Sequence, residues 1–519
     1  MGEKYPYQNF YQLLEKNTKK YRKKPALFED KLKITHSELK HYVDSFARYL
    51  ELSAGIQKGD HVAILMQNSK EFIIALLAIT KLGAVAIPVN TFLKKNEIEY
   101  ILDHSDSKLL ITQDKFQKEL AHIFQNTKVQ KIIWTGDYKN FDQRNLPFDE
   151  GLSMEDYEHI QPQGELDDVA IMVYTSGTTG KPKGVMLTYR NIFSNLVNIE
   201  KLFKLTHKDR FIVYLPMFHT FTLTATVMLP IYVGSAIVII KSILPFSNIL
   251  KQTLLKRVTI FMGVPEVYNA LSKAKLPWYF MWFNKLRVFI SGAAPLPEAT
   301  LKRMREKFPK VPLLEGYGLS EASPVVSINR LEKQKPLSVG PPLPDYQVKI
   351  VDDELMELPT GEIGEIIVKG DNVMKGYYKD PTATEETVIN GWLLTGDMGY
   401  VDEEGYIYIV DRKKDLIISK GINIYPREIE EALMSHPEIE EAAVVGKKDE
   451  TQGEIPVAFI KLAENSNLTE KEIRNFLKDK LANYKIPKLF YFVEDMPRNA
   501  TGKILKRVLR EKVNKGEFD

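Results

Sequence analysis

The chain has 519 residues, room for one large domain and a smaller one. Its 71 Lys and Arg stand against 68 Asp and Glu, a formal net charge of +3 with both signs spread along the chain, so nucleic acid is not an expected partner. There is no cysteine, which excludes disulfides, thiolate metal sites and a cysteine nucleophile. Any thiol chemistry must use a thiol brought by a substrate.

The amino terminus, MGEKYPYQNFYQLLEKNTKK, lacks the apolar run of a secretory signal, so a cytoplasmic location is expected. The first half then alternates strand and helix signals. HVAILMQ reads as a buried strand, SKEFIIALLAITKLG as a helix ended by Gly83, and AVAIPVN as the next strand. NEIEYILDHS with KLLITQ repeats the unit, as do NILKQTLLKRV with TIFMGV and EATLKRMREKF with VPLLEGY. Such alternation implies an α/β domain whose mainly parallel sheets are covered by helices. Phe211–Ile240 carries no Asp, Glu, Lys or Arg, and by length alone it could span a bilayer. Pro216, Pro230 and Gly234 divide it into pieces of strand or short-helix length, which favours buried elements over a membrane span. From about Val348, short strands with turns indicate a small β subdomain. After DRKKD an α+β unit of roughly one hundred residues follows.

The segment YTSGTTGKPKGV is the densest chemistry in the chain. Thr175, Ser176, Thr178 and Thr179 offer hydroxyls, Gly177 and Gly180 free the backbone to turn its N–H groups, and Lys181 and Lys183 neutralise charge. That is the chemistry of a triphosphate cradle, although the spacing is not that of the GxxxxGK[ST] loop.

With this segment, four others resemble the adenylate-forming superfamily of acyl-CoA synthetases, luciferases and adenylation domains, most nearly the bacterial long-chain fatty acid–CoA ligases. They are Gly316-Tyr317-Gly318-Leu319-Ser320-Glu321, Thr395-Gly396-Asp397, Asp411-Arg412-Lys413-Lys414-Asp415 and Thr501-Gly502-Lys503, in the family's order. The resemblance implies an N-terminal domain over 1–411 that binds ATP and acid, and a mobile lid over 412–519 that turns on a hinge near Lys414. It implies that Lys503 stabilises charge in adenylate formation, that Glu321 holds Mg²⁺, and that His219 lies near the acyl and phosphate sites. Adenosine would lie against Gly292, Ala293, Ala294, Glu315, Gly316, Tyr317, Gly318 and Ser320, with Asp397 and Arg412 at the ribose. Lys420 and Gly421 would line a channel for coenzyme A. Each residue also has a plainer reading: Asp397 as an Asx-turn residue, His219 as a core histidine, Lys503, Lys506 and Arg507 as a solvated face.

The uncharged stretch suits a fatty acid. Coenzyme A is the expected thiol, with acyl carrier protein or an aromatic acid left as alternatives on the same scaffold and a membrane fatty-acid carrier as one of another class. LPWYFMWFNKLRVF, residues 276–289, places aromatics near Lys273, Lys275 and Lys285. It reads either as a peripheral contact with the inner face of a membrane, or as a hydrophobic tunnel wall or an ordinary buried helix.

Overall fold

The computed structural model describes residues 4–138, 142–155, 160–175, 181–242, 245–420, 422–449, 451–464, 466–498 and 503–518. Two eight-stranded sheets organise the first part. One has the spatial order Val325–Ile328, Leu313–Gly318, Val288–Ser291, Ile260–Gly263, Arg210–Val213, Ala236–Ile239, Pro25–Glu29, Leu32–Thr35. The other runs Gly376–Tyr377, Lys183–Thr188, Val169–Thr175, Val85–Pro88, His61–Leu65, Leu109–Gln113, Lys131–Thr135, Asn145–Pro147. Their middles are parallel, as the alternation requires. The connection between Val169–Thr175 and Lys183–Thr188 is too short for a crossover, and these two strands pair antiparallel.

One apolar cluster joins both sheets to the helices Lys70–Lys81 and Tyr189–Phe203, so the sheets share a helical layer. Ser69 caps the first of these helices by accepting from the Phe72 N–H, and every residue from Phe72 to Lys81 is buried. Gly83, at φ +69°, lets the chain turn out of it. Lys81, buried in that layer, is paired with Asp44 at 2.8 Å.

The uncharged stretch folds as buried pieces: the strands Arg210–Val213 and Ala236–Ile239, with short helical segments from Thr220 to Val233 between them. Among the described residues, no helix is long and apolar enough to cross a membrane. A five-stranded sheet formed from Gln347–Val351, Gly364–Lys369, Val388–Ile389, Trp392–Val401 and Ile407–Arg412 is the β subdomain.

The last unit has its own sheet, built on the long antiparallel pair Ile439–Asp449 and Gly453–Leu462. Alternate residues face opposite ways. Val444, Ala458 and Ile460 pack with the helices Pro426–Met434 and Glu470–Lys478, while Val445, Val457 and Phe459 pack with Lys506–Asn514.

Candidate active site

Val288–Ser291 and Leu313–Gly318 are parallel neighbours, with Ser291 opposite Glu315. Gly292, Ala293 and Ala294 follow the first, and Gly316, Tyr317 and Gly318 end the second. The two expected adenosine segments therefore meet at the carboxyl ends of adjacent strands, where open α/β sheets bind ligands. Gly292, Ala293, Gly316, Tyr317, Gly318 and Ser320 line one cavity with His219 and Phe221. Ala293 is held at φ +67°, a conformation that few residues other than glycine adopt. Glu315 braces this turn: its Oε1 accepts from the Leu296 N–H at 3.1 Å, and burial pushes its carboxyl up to about 7. A wider hollow lined by Lys349, Met356 and Trp392 lies on the β subdomain, and none of the motif residues lines it.

Asp397 is not in a turn, as its Thr-Gly-Asp context suggested, but inside the strand Trp392–Val401. Its place is fixed by pairing with Arg412 across the ladder, next to an irregularity at Met398 and Gly399. The Tyr317 hydroxyl donates to Asp397 Oδ2 at 2.6 Å, and Arg412 Nε lies 3.4 Å from Oδ1. The Thr395 Oγ1 accepts from the Asp397 N–H at 3.1 Å. Three of the sequence motifs thus converge on one carboxylate.

Lys503 joins them from the last unit. Burial pushes its ammonium down to about 8, Arg412 acts the same way, and Asp397 and Asp415 oppose. Burial also lowers the His219 imidazole to about 4, with Lys503 adding to the effect. His219 is therefore a neutral ring at neutral pH, and the Lys503 ammonium is near enough to His219 and Asp397 to interact with both. Thr220, next to His219, exchanges a hydrogen bond with the Ser320 hydroxyl at 2.9 Å.

Thr175 ends its strand opposite Lys183. Ser176, Gly177, Thr178, Thr179 and Gly180 lie outside the described residues, as does Gly421. Lys183 is 3.5 Å from Asp380, and the Lys181 ammonium sits over the Tyr100 ring. Glu321 Oε1 accepts from the Tyr377 hydroxyl at 3.0 Å. Lys414 and Asp415 are tied to the last helix by Arg510, whose Nη1 donates to Lys414 O at 2.9 Å. Lys420 is exposed between the short strands Ile417–Ser419 and Ile422–Ile424, its N–H bound to Gln452 O.

The pattern of the AMP-binding enzyme family matches residues 14–378, and that of the AMP-binding enzyme C-terminal domain matches residues 428–503. The chain belongs to the AMP-binding, AMP-forming acid–CoA ligase family. It is 34% identical to a long-chain-fatty-acid–CoA ligase of Escherichia coli, over 99% of this chain and 96% of that one. It is 35% identical to a 2-succinylbenzoate–CoA ligase of Bacillus cereus, over 94% and 95%. Among solved structures, an anthranilate CoA ligase in complex with anthranoyl-AMP superposes with a TM-score of 0.90 at 29% identity, covering 98% of each chain.

In this ligase, Glu321 has the chemistry to hold Mg²⁺ beside phosphates. Burial raises its carboxyl above the usual range, so a cation is a favourable neighbour. Among the described residues there is no group of three or more His, Cys, Asp or Glu that could hold a metal ion.

Sequence reading missed Tyr377 and Thr220 because each touches the site only through tertiary contact. Gly318 carries a test of the ligase's geometry. A Cβ there would stand 1.9 Å from Pro324 O, which already accepts from the Leu319 N–H at 2.9 Å. Gly318→Ala is expected to cost about 1–3 kcal/mol and to displace Ser320 and Glu321. Thermal unfolding and the KM for ATP would check it, a wild-type value of both being the contrary result.

Proposed function

We propose that the chain is a fatty acid–CoA ligase for medium to long acids. It joins acid and ATP into an acyl-adenylate with release of pyrophosphate, then passes the acyl group to the thiol of coenzyme A and frees AMP. The observation that carries the fatty acid is the wall beside His219: the stretch from Phe211 to Ile240 has no Asp, Glu, Lys or Arg side chain and its apolar side chains are buried, Pro216 and Phe221 partly so, leaving no such charge there to pair with an amino group or a second carboxylate. The long-chain-fatty-acid–CoA ligase of E. coli supports the same choice.

In the first step a carboxylate oxygen bonds to the α-phosphorus and the bond to pyrophosphate breaks. Lys503 offsets the charge that spreads over the transferring group. Backbone and hydroxyls of Thr175, Ser176, Gly177, Thr178, Thr179 and Gly180, with Lys181 and Lys183, hold the departing phosphates. Mg²⁺ held at Glu321 would supply further neutralisation of those oxygens. Asp397 accepts from the ribose hydroxyls, with Tyr317 and Arg412 fixing its orientation.

Residues 1–411 carry the binding sites in this reading, and 412–519 move as a lid about Lys414. Rotation would release Arg510 from the Lys414 carbonyl, withdraw Lys503, and bring Lys420 and Gly421 to a channel for the pantetheine arm.

A panel of saturated fatty acids of increasing length, with benzoate, anthranilate and 2-succinylbenzoate, tests the substrate class through pyrophosphate release. The highest kcat/KM is expected on a medium or long fatty acid. A maximum on an aromatic acid would reject it, and product with acyl carrier protein but not coenzyme A would reject the acceptor.

A further inference from the structure

The helix Trp278–Phe283 presents its apolar residues to solvent. Trp282 is 80% exposed, Trp278 72%, Phe283 62%, Tyr279 45% and Met281 37%, while Phe280 alone is buried, at 3%. Scattered exposed hydrophobics are ordinary, but five on six consecutive residues form a patch of the kind that marks an interaction surface. The element is built rather than frayed. Pro277 precedes it at φ −60°, and the Asn284 side chain donates to the Phe280 and Met281 carbonyls at 2.9 and 3.2 Å.

The charge along the chain on either side of it has one sign. No Asp or Glu occurs between Glu266 and Glu298, and Lys273, Lys275 and Lys285 are exposed on either side of the helix. Lys307 reaches the same end, donating to the Leu271 and Ser272 carbonyls at 2.9 and 3.1 Å. Arg287 is occupied by Asp209 at 2.6 Å. A protein partner would be matched by mixed polarity at the rim. Indole and phenol rings ringed by lysines match the boundary between lipid tails and anionic headgroups.

We infer that this helix docks the ligase onto an anionic lipid surface. The inference rests on the fatty acid reading, and the buried side of the helix packs toward the cavity assigned to the acid. Phe280, Leu276 and Leu286 pack in one apolar cluster with Tyr214, Phe289 and Phe221, and Phe221 reaches the cavity beside His219. The buried anchor of the patch, Phe280, thus belongs to the same apolar cluster as Phe221 of the cavity wall.

The test is co-sedimentation with vesicles of phosphatidylcholine, with and without phosphatidylglycerol, at low and high salt. Wild type should bind the anionic vesicles, less so in high salt, with its tryptophan emission shifted to the blue. Trp278→Ala with Trp282→Ala should weaken binding by about tenfold or more, at unchanged melting temperature and unchanged pyrophosphate release from a dispersed acid. Lys275→Glu with Lys285→Glu should remove the preference for phosphatidylglycerol. Equal binding by the folded tryptophan variant overturns the inference, and so does a wild-type dimer that ignores vesicles and dissociates in that variant. Failure to bind vesicles with fatty acid still activated rejects the docking alone. Vesicle binding without fatty acid activation rejects the substrate reading alone.

Discussion

Lys503→Ala is expected to lower pyrophosphate release from ATP and acid by roughly a hundredfold to a thousandfold, the loss seen when a preorganised charge-stabilising group is removed. Transfer of the acyl group from supplied acyl-adenylate to coenzyme A should stay near the wild-type rate, because the proposed rotation would withdraw Lys503 from Asp397 and Arg412 before the second step. An equal fall in both half-reactions would refute the two-arrangement assignment. The pH profile gives the same residue a second signature. The active form is the ammonium, which burial and Arg412 hold down to about 8. As pH rises through that value the proton is lost, so kcat/KM for adenylate formation should fall on the alkaline side near pH 8. The limb in kcat should lie higher, since a bound triphosphate adds negative charge that favours the protonated form. Lys503→Arg, always charged, should be slower but lack the limb. A wild-type profile that is flat from pH 7 to 10 would remove Lys503 as the titrating cation.

The alternation of apolar strands and amphipathic helices was legible because burial on both faces of a parallel sheet leaves continuous apolar runs, as in Val62–Leu65 and Ile260–Met262. The motifs were legible as chemistry. Their convergence was not, because it depends on pairings such as Asp397 with Arg412 and on the hydroxyl that Tyr317 brings from another sheet. The aromatic run WYFMWF has no period, so nothing in it could say which side faces water; the structure decides against a buried helix by burying Phe280 alone. Asp397 misled through its Thr-Gly neighbours, since a β-irregularity and a turn draw on the same residues.

Lys506 was harder still. Between Lys503 and Arg507 it reads as part of a solvated basic face, yet its ammonium is 2.7 Å from Glu430, whose carboxylate is buried and also accepts from the Val444 N–H at 2.7 Å. Burial works against the Lys506 charge, but Glu430 and Asp411 outweigh it, and its pKa is raised. Lys506→Met should therefore leave a buried carboxylate without its counter-ion, at a cost of about 3–5 kcal/mol. Burial has already raised the Glu430 carboxyl, so protonation can relieve the variant. The sign follows: the deficit relative to wild type should shrink as pH falls and the carboxyl takes up its proton. Replacing Glu430 by Gln as well should recover part of the loss, because the stranded charge is gone. All four tryptophans lie at or before Trp392, so hydrogen exchange across 422–449 is the suitable probe of the last unit. Lys506 opens the helix Lys506–Asn514 just after Lys503, and the Leu505 N–H donates to Pro497 O at 2.7 Å. Loosening this anchor should slow adenylate formation more than thioester formation at temperatures where the last unit remains folded. Faster exchange with no such split would make the Lys506–Glu430 pair a purely structural contact.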